Sequence, residues 1–195
     1  MSSLSPDGKI RCFGNKPNQE FYARYHDEEW GIPVHDDQQL FEMLILEGAQ
    51  AGLSWETVLR KREGYRALFH HFDIARCAQM DDDYLEQCLQ DERIIRNRLK
   101  VYSVRKNAIA YQKIQQEYGS FDAYLWAYVE GEPIHNAPEG HGDVATKTAL
   151  SDAISKDLKK RGMSFVGSTI IYAYLQATGV VIDHLTSCWK FSPKG

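Results

Sequence analysis

Apolar residues recur at intervals of three and four positions through most of the chain, the spacing that places side chains on one face of an α-helix. The sequence lacks convincing runs of alternating apolar and polar positions bounded by hairpin turns, the pattern typical of half-buried strands. The pattern therefore predicts an all-α fold.

Side chains that can cap a helix mark where these helices begin. We predict starts at Asp36 or Asp37, Ser54, Asp73, Asp81, Asn97, Ser120, Ser151 and Ser168. The clearest ends are about Gly48 for the first helix, Tyr118 before Gly119, Val129, Arg161 before Gly162, and Thr178 before Gly179. Residues 131–146 contain three glycines and two prolines, so we expect a long surface loop there.

Length and charge limit the possible functions. A chain of 195 residues, of which 43% are hydrophobic, can bury one sizeable core, and we expect a single domain over residues 1–195. The net charge of -4 gives no overall attraction to a polyanion, so nucleic-acid binding would need a local basic face. Basic runs at 60–62, 93–106 and 156–161 could supply one, although such runs are more often solvated helix faces.

Cysteine use and the N-terminal segment indicate the compartment. Four irregularly spaced cysteines do not describe a disulfide scaffold, and Cys77 and Cys88 fall in predicted helices as small apolar residues. Residues 1–11 are polar, and no stretch approaches the roughly 18 uninterrupted apolar residues of a membrane span. We expect a soluble, cytoplasmic protein without a membrane partner.

Two cysteines and two histidines are divided between the ends of the chain. Cys12 and His26 stand near the start, and His184 and Cys188 near the end. Together they could form a tetrahedral zinc site that is closed to substrate and ties the two terminal segments together. His184 and Cys188 would share one face if that stretch were helical, whereas Cys12 and His26 match no compact zinc motif. Two buried thiols and two unrelated histidines remain the alternative.

A short turn between the last two predicted helices could bind phosphate. It contains a lysine pair ending at Lys160, glycines at Gly162 and Gly167, and the hydroxyls of Ser164 and Ser168. No strand precedes it and no P-loop lysine follows Gly167, so a nucleotide-binding loop is excluded. A helix-hairpin-helix over about residues 151–178 would present backbone N–H groups and lysines to DNA. An ordinary pair of antiparallel helices is the alternative.

Glu47 falls within the apolar arc of its predicted helix, where a carboxylate is seldom left without a partner. Nearby in sequence, Tyr25, Trp30 and Trp55 offer aromatic faces of the kind that can hold an unstacked base. Together they describe a small aromatic pocket with one acid. The alternatives are a satisfied core glutamate and ordinary core aromatics.

These residues, in this order, closely resemble the 3-methyladenine DNA glycosylase I family of bacterial enzymes, the Tag enzymes. The resemblance covers nearly the whole chain and rests on the following runs: Arg11-Cys12, Tyr25-His26-Asp27, Glu29-Trp30-Gly31, Leu40-Phe41-Glu42-Met43, Leu46-Glu47-Gly48, Gln50-Ala51-Gly52-Leu53-Ser54-Trp55, Ile94-Ile95-Arg96, residues 159–167, and Asp183-His184 with Cys188. The resemblance implies a helix-hairpin-helix glycosylase fold and a structural Zn2+ held by the four Cys and His residues. It also implies excision of 3-methyladenine from alkylated double-stranded DNA in the bacterial nucleoid, by a monomer that performs no lyase step.

The resemblance also assigns roles to individual residues. Glu47 is expected to be the catalytic acid of the base pocket, Trp55 to stack on the flipped base, and Tyr25 and Trp30 to form the walls. Leu53 is expected to fill the gap in the duplex. The expected DNA contacts are Gln50, Leu53, Lys160, Gly162, Ser164, Gly167 and Ser168.

The chain departs from the family pattern at one position, because Phe13 follows Cys12 where a tryptophan is usual nearby. Asp183 is a rival for the catalytic acid, since other helix-hairpin-helix glycosylases carry an aspartate after the hairpin. A non-catalytic helix-hairpin-helix protein that binds DNA is an alternative, although it would give no reason for Glu47 among aromatics. A zinc-dependent hydrolase or deaminase would need an open metal position, and the deaminase signature is absent.

Overall fold

Helices dominate the computed structural model, which describes Ser5 and residues 7–193, and the all-α prediction is confirmed. In chain order the helices of this part are α1 (Glu20–Glu28), α2 (Asp37–Ala49), α3 (Trp55–Arg60), α4 (Arg62–Leu68), α5 (Ile74–Ala78), α6 (Asp82–Cys88), α7 (Arg98–Tyr118), α8 (Phe121–Ala127), α9 (Ala149–Lys160) and α10 (Ser168–Ala177). One continuous buried core draws on residues from α1 to the segment after α10.

Helix α2 runs through the middle of this core. Asp36 caps it by accepting a hydrogen bond from the Gln39 N–H, which confirms the predicted start. Every residue from Leu40 to Ala49 is buried, so α2 is apolar on all sides rather than along one stripe. Any polar side chain in its last turn is thereby forced into the interior.

Most of the other predicted helix starts are confirmed as capping residues. Ser54, Asp73, Asp81, Asn97 and Ser120 each accept a hydrogen bond from the backbone N–H three residues on. In the described chain, α8 ends at Ala127, two residues before the predicted end.

One predicted cap is wrong. Helix α9 begins at Ala149 with Thr148 as its cap, whereas Ser151, the predicted cap, stands inside the first turn. The two residues form a capping box, because each side chain accepts a hydrogen bond from the backbone N–H of the other. Ser151 therefore takes part in capping α9, but Thr148 is the residue that caps it.

Helices α1 and α4 and one short pair of strands were not predicted from the sequence. Helix α1 was missed, although Tyr22, Tyr25 and His26 follow helical spacing on it. Within the loop at 131–146, β1 (Ile134–His135) pairs in parallel with β2 (Val181–Ile182) after α10. This short ladder holds the long loop against the segment that leads to His184. Among the described residues, none of the helices combines the length and apolar character needed to cross a membrane.

Candidate functional site

Cys12, His26, His184 and Cys188 lie together in the structure. All four are buried, and one candidate ligand atom from each lies within 4.8 Å of the others. Cys12 Sγ is 3.6 Å from His184 Nδ1, Cys188 Sγ is 3.7 Å from the same nitrogen, and Cys188 Sγ is 3.4 Å from His26 Nε2. The fold therefore brings the first and last segments to one point, as the sequence predicts.

These separations match a tetrahedral metal site. For metal bonds of about 2.0 to 2.3 Å, the edges of a tetrahedron are roughly 3.3 to 3.8 Å long. His184 and Cys188 reach this geometry in a turn, closed by a hydrogen bond from the Cys188 N–H to the Leu185 carbonyl, and not on a helix face. Two thiols and two imidazoles are a donor set that suits zinc.

A carboxylate hydrogen-bonds to one of the candidate metal ligands, at the ring nitrogen that does not face the cluster. His26 Nδ1 lies 2.9 Å from Asp27 Oδ1, so its other ring nitrogen faces the cluster. Asp27 also accepts two hydrogen bonds from Arg11, both at 2.8 Å, and one from Trp189 Nε1. Burial opposes the charge, but the hydrogen bonds from Arg11, His26 and Trp189 lower the pKa of Asp27 to about 2. Asp27 thus carries a negative charge beside the cluster and holds the His26 ring in position.

Beside this cluster lies a cavity of about 220 Å³ walled by aromatic side chains. Its aromatic residues are Phe13, Tyr22, Tyr25, Trp30 and Trp55, and its other lining residues are Glu47, Gln50, Ala173 and Gln176. The volume is below the roughly 300 to 1,000 Å³ of pockets that hold drug-sized molecules. It suits a single small planar ring system.

Four elements meet at the cavity. Helix α1 contributes Tyr25, α2 contributes Glu47 from its last turn, α3 begins with Trp55, and α10 contributes Gln176. The ring centroids of Tyr25 and Trp55 are 5.5 Å apart with the planes at 44°. The structure thus brings together all four residues predicted for the base pocket, including Trp30 just after α1.

Glu47 is buried within this cavity and has no counter-ion there. Its Oε2 finds no hydrogen-bond partner in the described chain, and burial raises the pKa of the carboxyl to about 8. The hydroxyl of Tyr25 and the indole Nε1 of Trp55 are likewise buried without a partner among residues 7–193 and Ser5. Three polar groups that normally require hydrogen bonds therefore face one small space.

The cluster of two cysteines and two histidines contacts the cavity wall directly. The ring of Trp30 stands edge-on to that of His184, with centroids 4.8 Å apart, and lies 5.9 Å from that of His26. Gly31 follows with a φ of +76°, and a Cβ there would come within 2.9 Å of His184 Nε2. Glycine is therefore required for Trp30 to sit against the cluster.

Phe13 and Asp183 differ in their relation to the aromatic cavity, since one lines it and the other does not. Phe13 lines the cavity and packs edge-on to Trp30 at 5.2 Å, so the residue after Cys12 does contribute an aromatic wall. Asp183 does not line this cavity. Its carboxylate accepts hydrogen bonds from Tyr172, Gln176 and Asn136.

The loop after α2 carries an exposed apolar tip. Leu53 is 42% exposed, while Gln50 of the same loop, which was predicted to contact DNA, lines the aromatic cavity. Lys100 of α7 donates hydrogen bonds to the carbonyls of Ala49 (2.9 Å) and Ala51 (2.7 Å). The loop is therefore anchored at its base and open at its tip.

The turn between α9 and α10 is anchored to the same helix. The Asn107 amide donates to the Ser164 carbonyl and accepts from the Ser164 N–H, both at 2.9 Å, and Lys106 donates to the Ser164 hydroxyl. Lys160 and Gly162 are exposed. At the start of α10, Gly167 provides no side-chain cap, which leaves backbone N–H groups for an anion.

Two of the side chains predicted to contact DNA in this turn are already hydrogen-bonded within the protein. The Ser164 hydroxyl accepts from Lys106, and the Ser168 hydroxyl is 2.8 Å from that of Ser151. The N–H groups of Gly162 and Ser164 are also engaged, with the Lys159 carbonyl and the Asn107 amide, so among the predicted contacts the free donors of the described turn are the N–H groups of Gly167 and Ser168.

Sequence reasoning missed Tyr22, Ala173 and Gln176 as lining residues. Tyr22 lies three positions before Tyr25 on α1, and Ala173 three before Gln176 on α10, so helical spacing was the available signal.

Comparison with known proteins gives consistent matches along the chain. A family model described as methyladenine glycosylase matches residues 15–191. The DNA-3-methyladenine glycosylase 1 of Escherichia coli is 47% identical over 178 residues, which cover 91% of this chain and 95% of that relative. The DNA-3-methyladenine glycosylase of Haemophilus influenzae is 46% identical over 170 residues, covering 87% of this chain and 92% of the relative.

A solved structure gives the same result. The 3-methyladenine DNA glycosylase I from Staphylococcus aureus, solved to show how that enzyme recognises 3-methyladenine, superposes with a TM-score of 0.90 at 34% identity. The match covers 95% of this chain and 98% of the other.

Proposed function

This chain belongs to the methyladenine glycosylase family, and we propose that it removes 3-methyladenine from alkylated duplex DNA by hydrolysing the N-glycosidic bond and leaving an abasic site. We also propose that the protein acts as a monomer, as its resemblance to the family implies.

The observation that supports this proposal most directly is the unpaired Glu47 inside an aromatic cavity. A buried carboxylate without a counter-ion is costly, and a cation that enters the cavity offsets that cost. Methylation at N3 makes adenine in DNA cationic, whereas unmodified adenine is neutral. The cavity therefore favours the damaged base over the normal one.

The aromatic rings add to this selectivity. A cationic ring that stacks on the face of Trp55 or of Tyr25 gains about 0.5 to 2 kcal/mol from cation–π attraction. The free Tyr25 hydroxyl and Trp55 N–H can hydrogen-bond to the edges of a purine. A base that fills the cavity thus also satisfies groups that the folded chain leaves unpaired.

The chemistry can remain simple because the leaving group is already activated. The bond between the sugar C1′ and the base nitrogen breaks, its electron pair stays with the base, and 3-methyladenine departs as a neutral molecule. Water adds to C1′ and gives up a proton, which leaves an abasic sugar. Glu47 contributes by holding the base and stabilising its positive charge in a site with little water.

We propose that the Cys12, His26, His184 and Cys188 cluster holds a structural Zn2+. Four protein ligands close the coordination shell, and the described residues leave no open position for a reactive water. The metal would supply only a cross-link between the two terminal segments. The side chains of His26 and His184 would thereby hold Trp30 in place as a wall of the cavity.

Two elements are proposed to engage the duplex. The turn at 160–168 would bind the phosphate backbone through Lys160 and the N–H groups of Gly167 and Ser168, while the N–H groups of Gly162 and Ser164 hold the turn in shape. Leu53 would enter the space left by the flipped nucleotide, since it is the exposed tip of the loop next to the cavity. Gln50 would contact the displaced base within the cavity.

The activity is tested by incubating the protein with methylated duplex DNA and identifying the released bases by chromatography. We expect free 3-methyladenine and little 7-methylguanine, because the cavity has a volume of only about 220 Å³ and Glu47 is the one acid among its described lining residues. Retention of the DNA without any base release would instead support a non-catalytic DNA-binding protein.

Replacing Lys160 with Ala is expected to weaken duplex binding by about tenfold at low salt and to reduce the slope of log affinity against log salt by about one. Lys160 is exposed beside the hairpin turn, so its loss removes one phosphate contact without disturbing the core. Arg76→Ala on α5 is the matched control, since Arg76 is exposed on an element that carries neither DNA-facing segment. An equal loss in both variants would contradict the role of the hairpin.

A further inference from the structure

Gln176 connects the aromatic cavity to a buried carboxylate outside it. The residue lies in the last turn of α10 and lines the cavity beside Trp30 and Glu47. Its Nε2 donates a 2.8 Å hydrogen bond to Asp183 Oδ2. Asp183 is only 2% exposed and lines a neighbouring cavity of about 290 Å³, which Gln176 also lines. The amide thus stands in the partition between the two spaces.

The hydrogen bonds of Asp183 fix which end of this amide remains free. The carboxylate also accepts from the Tyr172 hydroxyl at 2.6 Å and from Asn136 Nδ2 at 2.7 Å. Both Asp183 oxygens act as acceptors in these contacts, so they hold the Gln176 amide by its nitrogen, and Oε1 is at the other end of the amide. Within the described chain, no hydrogen-bond donor reaches that oxygen. Gln176, which lines the aromatic cavity, therefore keeps a free acceptor at the end of its amide opposite Asp183.

We propose that Gln176 determines specificity by accepting a hydrogen bond from the amino group at position 6 of the flipped purine, and that Asp183 is its positioning residue. The inference rests on the proposed excision of a methylated adenine. An amino group has two N–H donors, so Gln176 Oε1 and Glu47 can each accept one.

The same arrangement acts against guanine derivatives. These carry a keto oxygen at position 6, which would meet the Gln176 oxygen as a second acceptor. Turning the amide over would present its nitrogen to the base, but it would also point Oε1 at the Asp183 carboxylate. The pairing with Asp183 thus blocks the adjustment that would admit a 6-keto purine.

The test measures the release of 3-methyladenine and 3-methylguanine from the same methylated duplex under single-turnover conditions. In Gln176→Leu the ratio of the two rates is expected to fall by about tenfold, because one base loses a hydrogen bond while the other loses a repulsive contact. In Asp183→Asn the ratio is also expected to fall, because an asparagine amide can donate to Gln176 Oε1 and allow the amide to turn over. The zinc content of both variants is measured alongside.

Tyr172→Phe is the matched control. It removes a donor to the same Asp183 oxygen but leaves the Gln176 contact in place, so stability is expected to fall without a change in the ratio. Equal losses for both bases in Gln176→Leu and Asp183→Asn would overturn the proposal, because a purely structural defect lowers both rates together. If the unaltered protein released neither base, the proposed function would fail instead.

Discussion

Replacing Glu47 with Gln is expected to reduce excision by about 100- to 1,000-fold while making the free protein more stable in alkaline solution. The first effect follows from removing the only acid that lines the aromatic cavity of the described chain. The second follows because the ionised carboxylate is buried without a partner and is costly to the folded state. The measurements are single-turnover base release and chemical unfolding at pH 5 and pH 9.

The pH dependence has a definite sign. Burial raises the pKa of Glu47 from 4.5 to about 8, so between these values the folded state keeps a proton that the unfolded state loses. The contribution of Glu47 therefore destabilises the protein progressively as the pH rises through this interval, and levels off above it. The shift corresponds to roughly 3 to 5 kcal/mol in the free energy of unfolding. Glutamine does not titrate, so the variant gains this difference at pH 9 and not at low pH.

Glu42→Gln is the matched control for this effect. Glu42 is buried on the same helix, but it is paired with Arg62 at 2.6 Å and Arg66 at 2.9 Å. Its neutralisation is expected to destabilise the protein, because it leaves a buried arginine short of a counter-ion. A Glu47→Gln protein with unimpaired excision would remove Glu47 from the proposed mechanism.

Replacing Cys188 with Ser is expected to remove the metal, lower the thermal midpoint and abolish most excision. Loss of one ligand opens the shell that joins the two terminal segments, and a loss of several kcal/mol corresponds to roughly 10 °C in a chain of this size. Trp30 contacts both histidines and lines the cavity, so this wall of the cavity is no longer held in place. Zinc content, thermal unfolding and base release are measured on the same preparation.

Cys88→Ser separates the loss of a ligand from the loss of a buried thiol. Cys88 is 2% exposed and lies outside the cluster, so its variant is expected to keep the metal and most of the activity. A Cys188→Ser protein that lost zinc but stayed folded and fully active would show that the metal does not support the cavity.

The helix starts could be predicted because capping is a local interaction. Asp36, Ser54 and Asn97 each bond to a backbone N–H three residues away, and no distant part of the chain decides the outcome. At Thr148 and Ser151 both hydroxyls belong to one capping box, so the pattern indicates the pair without showing which comes first. Helix α1 was missed because most of its residues are polar. Its apolar face is too short to be recognised from the sequence pattern alone.

The site could be predicted where a residue type is unusual for its position, as with Glu47 in an apolar arc. Gln176 gave no such signal, because a glutamine near the end of a helix is commonplace. The orientation of its side-chain amide depends on Asp183. This residue follows β2 and comes next to α10 only in the tertiary structure. That relation is a property of the tertiary structure and is invisible to local spacing.

Helix α7 sets the distance between the loop that carries Leu53 and the hairpin turn. Lys100 holds the first and Asn107 holds the second, seven residues apart on one helix face, or about 10 Å along its axis. A helix of this kind neither stretches nor bends readily, so the distance between the two segments is nearly fixed. If these two segments engage DNA as proposed, the distortion needed for a fit falls on the duplex, and a nucleotide whose stacking is already weakened by damage yields at the lowest cost.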